Sequence, residues 1–144
     1  MHILMPVDAD EERAVAAAET VAAQPCAADE IRVTVLNVHE DIEVSSVDSG
    51  TVSSEEWYDE EDFPESVGRA TAVLERAGIT AERHRKIAEP GPGIVETADE
   101  LGADQIVMCG RKRTPVGKVL LGSVAQSVLL NASVPVTVTD VGKQ

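Results

Sequence analysis

The stretch "HILMPVDADEERAVAAAETVAA", residues 2–23, decides the fold, because a strand and a helix follow each other directly within it. Residues 2–7 are a short continuous apolar run, which is typical of a strand buried on both faces of a parallel sheet. Asp10 then precedes an acidic first turn and an alanine-rich segment, and this pattern predicts a capped helix. The stretch is therefore the first strand and helix of an α/β domain.

The same alternation continues along the rest of the chain. Its apolar and β-branched runs predict further strands at residues 31–38, 79–87, 105–109 and 134–141. Capping residues and helical spacing predict further helices after Pro64, at residues 94–101 and from Gly122 onward. Strands joined by helices run parallel through right-handed crossovers, with helices on both faces of the sheet. The fold class predicted is an α/β domain with an open five-stranded parallel sheet.

Length and composition limit what the chain can be. Its 144 residues fit a single domain, 1–144, in which residues 39–63 form an acidic and mobile excursion. The 26 Asp and Glu residues against 12 Lys and Arg give a net charge of −14, which disfavours nucleic acid and anionic membranes as partners. No signal peptide or membrane span is recognisable, so we expect a cytoplasmic protein.

The low lysine content and the two cysteines lead to two further expectations. An acidic surface with only four lysines is typical of a protein adapted to high salt, which is a hypothesis about habitat. Cys26 and Cys109 do not form a metal-binding or redox pattern, and we expect them to be small core residues.

In open parallel sheets ligands bind beyond the carboxyl ends of the strands. The relevant loops here begin at Asp8, at Val38 and at the segment "GRKRTPVGKVLLGS", residues 110–123. That segment is not a Walker A loop, because Val119 replaces its hydroxyl and Lys112 its first glycine. "PVDADEE", residues 6–12, contains no glycine, so a Rossmann dinucleotide site is excluded as well.

The end of this segment, Gly122-Ser123, precedes a helix and can be interpreted in two ways. Free backbone N–H groups and the helix dipole favour an anion there, next to a run of basic residues. Ser123 and Gln126 also fit the S-x-x-Q capping box, in which they satisfy the N–H groups of their own helix. The two roles are compatible, and the basic run can equally be a solvated loop.

The chain resembles the universal stress protein family over nearly its whole length. The resemblance is carried by "ILMPVD" at the start, by the alternation of strands and helices, by the late glycine-serine segment and by "SVLLNASVPVTV" near the end. It implies strand order 3-2-1-4-5 and a homodimer formed through the last strand. It also implies membership of either an ATP-binding or a non-binding group, and the binders carry a G-x2-G-x9-G-[ST] loop after strand four.

The match to that loop is incomplete. Gly110 and the closing Gly122-Ser123 match, but Arg113 or Lys112 stands at the middle glycine, depending on the direction of counting. By the same resemblance Asp8 meets the adenosine end of the ligand and Val38 lies near the base, although helix capping and core packing explain these two equally well. The residues predicted to bind the nucleotide are Asp8, Val38, Gly110, Arg111, Arg113, Gly122, Ser123 and Val124.

The function that follows is a stress-response protein that binds ATP or a related adenine nucleotide without clear turnover, with Mg²⁺ only as the companion of the nucleotide. The alternative is a dimeric interaction protein of the same fold that binds no nucleotide, and a slow phosphate-transferring enzyme comes third. His2, His39 and His84 fall in or beside separate strands without an adjacent acid or nucleophile, so we expect no catalytic or metal site.

Overall fold

A computed structural model describes residues 1–40, 63–110 and 121–141. Within these ranges the strands are β1 His2–Pro6, β2 Arg32–His39, β3 Thr80–Ile87, β4 Gln105–Cys109 and β5 Val136–Thr139. The helices are α1 Glu11–Ala22, α2 Ala27–Glu30, α3 Glu65–Arg76, α4 Pro90–Leu101 and α5 Ser123–Asn131. The strands pair in parallel in the order β3-β2-β1-β4-β5, which confirms the predicted sheet.

The core lies in two layers, one on each face of this sheet. Ile3 and Met5 of β1 pack with α1 and α3 on one face, whereas Leu4 packs with α4 and α5 on the other. This alternation follows from the period of two along a strand, and it explains why the apolar run of β1 is unbroken. The prediction of helices on both faces is confirmed.

The register of the strands brings their carboxyl ends to one edge. Pro6 pairs with Leu36, and Leu4 pairs with Ile106. Counting onward from these pairs places Asp8, Val38 and Gly110 at the same level, with Asp8 and Gly110 just beyond β1 and β4 and Val38 near the end of β2. The fold therefore brings three residues of distant sequence position to one place.

Helix α4 begins at Pro90, so the prediction that it starts at residue 94 is wrong. The first four N–H groups of a helix have no partner within it, and a proline among them loses no hydrogen bond. Pro90 and Pro92 lie in this first turn, and the N–H of Gly93 then donates to the carbonyl of Glu89 at 2.8 Å. The prolines thus allow the helix to start one turn earlier.

Other differences from the sequence prediction lie at the ends of elements. β2 continues to His39, and β5 is shorter than residues 134–141. Phe63 is half-buried against the core, so the predicted excursion ends inside the fold, while residues 41–62 lie outside the described residues. Helix α2 was not predicted at all.

The two cysteines differ in their surroundings. Cys26 is exposed and has a left-handed backbone with φ 58°, directly before α2, so its prediction as a core residue is wrong. A surface turn, not a packed strand, holds this residue. Cys109 is half-buried and packs against the core. In the described part of the chain, no helix is long and apolar enough to cross a membrane.

His2 gives the fold an expected sensitivity to acid. Its Nε2 lies 2.8 Å from the Thr34 hydroxyl, and its buried Nδ1 has no hydrogen-bond partner among the described residues. Burial, helped by the charge of Arg32 and opposed by Asp104 and Glu82, lowers the pKa of His2 below 6.5. The imidazole of His2 therefore binds a proton more tightly in the unfolded chain than in the folded one. The contribution of neutral His2 to folding stability is complete above the unfolded pKa, and it is lost as the pH falls from there through the folded pKa.

We expect His2→Gln to flatten the dependence of unfolding free energy on pH between about pH 7 and pH 5. Urea unfolding at several pH values measures this slope. The matched control is His84→Gln, which makes the same substitution at an exposed position of β3. Equal slopes in the His2 variant and the unaltered protein would show that His2 does not cause the effect.

Candidate functional site

A cavity of about 190 Å³ opens at the carboxyl edge of the sheet. It lies beyond β1, β2 and β4 and is bounded by the first turns of α1, α4 and α5. Its lining residues are Pro6, Val7, Asp8, Arg13, Ala14, Val38, Pro90, Ile94, Met108, Cys109, Gly110, Gly122, Ser123, Val124 and Ala125. Six of the predicted binding residues are therefore brought together, whereas Arg111 and Arg113 lie outside the described residues.

The carboxylate of Asp8 is held from two sides. Its Oδ1 accepts the backbone N–H of Asp10 at 2.9 Å, and its Oδ2 accepts Nη2 of Arg13 at 2.7 Å. The hydroxyl of Ser66 also donates to the backbone carbonyl of Asp8. Helix α1 is capped by Asp10, which accepts the N–H of Arg13 at 2.9 Å. The alternative interpretation of Asp8 as the helix cap is therefore wrong.

Arg13 is the charged residue of the site that sequence reasoning missed. It lines the cavity with only 26% of its side chain exposed. Burial lowers the pKa of the Arg13 guanidinium, but the hydrogen bond and charge of Asp8, with the charge of Asp10, outweigh burial and raise that pKa overall. The sequence contains one signal for this role, because Arg13 is a cation in the first turn of α1, where acidic residues are favoured.

One wall of the cavity is apolar. Val38 and Val124 are half-buried there, with the buried Ile94 and Met108 beside them. Gly93 allows this packing, because a Cβ at that position would lie 3.2 Å from Cγ1 of Val38. Val38 thus belongs both to the core and to the cavity. Such a wall suits a flat apolar ring.

The start of α5 differs from the predicted capping box. Gly122 is the N-cap, with extended backbone at φ −72° and ψ 172°, and Ser123 is the first helical residue. The side-chain amide of Gln126 donates to the carbonyl of Leu121 at 3.4 Å, so Gln126 does not complete a box with Ser123. The prediction is wrong because the extended glycine takes the cap position one residue earlier.

The hydroxyl of Ser123 is consequently available. Ser123 is exposed and lines the cavity, and its hydroxyl makes no hydrogen bond to any residue in the described ranges. The first N–H groups of a helix also lack partners within it and attract negative charge. The beginning of α5 therefore presents hydrogen-bond donors to the cavity and suits an anion.

Two neighbouring residues complete the floor of the cavity. The N–H of Gly110 donates to the carbonyl of Thr139 at 2.7 Å, and a Cβ at this glycine would lie 3.2 Å from Cγ1 of Val138. Burial raises the pKa of the Cys109 thiol to about 11, so it stays protonated at neutral pH. A protonated thiol is a poor nucleophile. Cys109 is therefore suited to packing and not to covalent chemistry.

No metal centre is found among the described residues, which contain no group of three or more His, Cys, Asp or Glu placed to bind an ion. None of the three histidines is among the residues that line the cavity. His39 instead accepts a hydrogen bond from Nε of Arg85 at 3.1 Å. The described groups of the cavity are thus suited to binding a ligand that has an apolar ring, hydrogen-bond donors and an anionic group.

The chain is similar in sequence to known proteins. The model of the universal stress protein family matches residues 1–140. A universal stress protein of Methanocaldococcus jannaschii is 33% identical over 84 residues, which is 58% of this chain and 49% of that protein. The chain thus matches about half the length of this curated relative.

Solved structures match over nearly the whole chain. A universal stress protein from Archaeoglobus fulgidus is 29% identical, with a TM-score of 0.72 over 96% of this chain and 97% of the other. A structure of the universal stress protein from the same organism in complex with dAMP is 25% identical, with a TM-score of 0.67 over 96% of each chain. From the match of the family model over residues 1–140, the chain belongs to the universal stress protein family.

Proposed function

We propose that this protein binds an adenine nucleotide in the cavity and acts in the stress response through binding, without turnover. The main support for this proposal is that one cavity contains an apolar wall, the Asp8 carboxylate and the first turn of α5. The dAMP complex of the Archaeoglobus fulgidus relative supports it.

The order of the strands supports one orientation of the nucleotide. Val38 lies at the end of β2, Asp8 follows the central β1, and Gly110 follows β4, the strand that precedes Gly122-Ser123 in the sequence. The base then lies on the Val38 side and the phosphates on the Ser123 side, so the sugar lies over the end of β1. Asp8 accepts hydrogen bonds there, and the sugar hydroxyls are the donors that a nucleotide offers at that position.

The phosphates bind at the beginning of α5. Its unpartnered N–H groups and the Ser123 hydroxyl supply donors, and a negative charge is favoured at this end of a helix. Arg113, which stands at the middle glycine of the family loop when the count starts from Gly110, would supply positive charge there, and Arg111 would add to it. ATP would bring its own Mg²⁺, since a triphosphate binds this ion through its phosphate oxygens.

We also propose that two copies pair through β5 in the cytoplasm. This strand lies at the edge of the sheet, and all four of its residues are half-buried. An unpaired edge strand offers backbone N–H and carbonyl groups to a second chain. The acidic surface would keep such a dimer soluble at high salt.

We expect Ser123→Ala to weaken AMP binding by about tenfold, which is the lower end for one hydrogen bond from a hydroxyl to a charged phosphate. Its melting temperature should hardly change, because Gly122 and not Ser123 occupies the cap of α5. Calorimetric titration of nucleotide-free protein, paired with thermal unfolding, measures both quantities.

The matched control is Ser133→Ala. Ser133 donates to Oδ1 of Asp99 at 2.9 Å, outside the cavity, so its removal should leave the affinity for AMP unchanged. A lower melting temperature of Ser123→Ala with unchanged affinity would assign the hydroxyl to helix stability. Absence of binding by the unaltered protein at millimolar AMP, ADP and ATP would overturn the proposed function and favour the interaction protein.

A further inference from the structure

Asp8, Asp10 and Arg13 form a closed hydrogen-bonded ring at the edge of the cavity. The Asp10 N–H donates to Oδ1 of Asp8, the Arg13 N–H donates to Oδ1 of Asp10, and Nη2 of Arg13 donates to Oδ2 of Asp8. Arg13 is the more buried partner of its ion pair, with 26% of the side chain exposed against 59% for Asp8. The ring therefore fixes the carboxylate of Asp8, which stays exposed to a ligand.

We propose that Arg13 is a positioning residue that makes the site select nucleotides with free sugar hydroxyls. This inference rests on the proposed function, since it names the part of the ligand that Asp8 recognises. Arg13 acts through Asp8, whose carboxylate it fixes in direction.

The hydrogen-bonding capacity of the carboxylate supports this role. Each oxygen of an ionised carboxylate has two acceptor positions. Asp10 uses one position on Oδ1 and Arg13 uses one on Oδ2, so each oxygen keeps one for a hydroxyl of the ligand. Two adjacent hydroxyls of a ribose match two such acceptors. An acceptor held in place also costs less ordering on binding than a side chain that is free to rotate.

The same geometry argues against direct contact of Arg13 with the phosphates. The Nη2 group is committed to Asp8 at 2.7 Å, and its Nη1 group lies 3.9 Å from Oδ2 of Asp10. Arg13 is thus directed toward two carboxylates at the end of β1. The expected phosphate position is at the beginning of α5, which packs on the opposite face of the sheet from α1. If Arg13 contacted the phosphate, its loss would weaken AMP and an analogue without sugar hydroxyls equally. If Arg13 positions Asp8, its loss weakens mainly the nucleotide that has the hydroxyls.

The test compares AMP with 2′,3′-dideoxy-AMP, which lacks both sugar hydroxyls, by calorimetric titration of the full chain. The unaltered protein should bind AMP at least about tenfold more tightly than the dideoxy analogue. Arg13→Gln should weaken AMP binding by about tenfold and the analogue by less than about twofold, so that the preference nearly disappears. Arg13→Lys keeps the charge and should recover part of the preference.

Arg69→Gln is the matched control. Arg69 forms an ion pair of the same 2.7 Å length with Glu11, but it is not among the residues that line the cavity. Its removal should leave both affinities and their ratio unchanged. Because the ratio is measured within one protein, partial loss of stability in a variant does not imitate the expected result.

Three results would overturn the positioning role while leaving nucleotide binding intact. An equal loss of affinity for AMP and the analogue in Arg13→Gln would mean that Arg13 contacts the phosphate. An unchanged ratio with a lower melting temperature would mean that Arg13 only stabilises α1. A ratio near one in the unaltered protein would mean that Asp8 does not recognise the sugar. Failure of the unaltered protein to bind AMP overturns the proposed function itself.

Discussion

Replacing Gly91 with alanine is expected to lower the free energy of unfolding by about 1–3 kcal/mol and to weaken nucleotide binding. A Cβ at residue 91 would lie 2.5 Å from Oγ of Ser127 and 2.8 Å from its Cβ, which no side-chain rotation relieves. Helix α4 must therefore move away from α5. Both helices bound the cavity at their first turns, so their separation changes the site as well as the core.

The same substitution at Gly68 is the control for this prediction. A Cβ at Gly68 in α3 would meet no atom within 4 Å. Alanine is favoured over glycine in a helix by about 0.5–1 kcal/mol, so Gly68→Ala should raise the free energy of unfolding. Urea unfolding of the two variants measures both changes in stability, and calorimetric titration with AMP measures the change in binding. Changes of the same sign would contradict the close approach of α4 and α5.

Ser123→Asp is expected to reduce the affinity for AMP by roughly a hundredfold. The substitution places a negative charge where the phosphate is proposed to bind, at the beginning of α5. The same charge interacts favourably with the helix dipole, so the free energy of unfolding should stay equal or rise by about 0.3–1 kcal/mol. The affinity for AMP should therefore fall without any loss of stability, a combination that general damage to the fold does not produce.

Adenosine provides the decisive comparison for Ser123→Asp, because it has the base and sugar but no phosphate. Its affinity should change by less than about threefold in this variant, since no like charges meet. Ser123→Asn, of similar size but uncharged, should lose much less affinity for AMP. An equal loss for adenosine and AMP would place the phosphate elsewhere in the protein.

The fold could be predicted from the sequence because its strongest signals are local. The unbroken apolar run of β1 and the alanine-rich α1 each point to one structure, and alternation of strands and helices leaves few topologies. The errors arose where two local signals compete. In "EPGPG", residues 89–93, proline indicates a break in a helix interior but a start in its first turn, and the sequence does not show which applies.

The candidate site was predictable only in part. Asp8 follows a predicted strand, Val38 ends one and Ser123 lies at the start of a predicted helix, so the rule for parallel sheets places them together. Arg13 was missed because its contact with Asp8 depends on the path of the chain between β1 and α1. The cap at Gly122 was missed for a similar reason, since its extended backbone is a property of the structure. The roles of Arg111 and Arg113 stay predictions.

Titration of ¹⁵N-labelled protein with AMP, followed by NMR of the assigned backbone amides, shows where an adenine nucleotide binds. If it binds beyond the carboxyl ends of β1, β2 and β4, we expect saturable shifts centred on Asp8, Val38, Gly110 and Ser123, with small changes along β3. Absence of shifts at millimolar AMP, or shifts centred on β3 and α3, would contradict it.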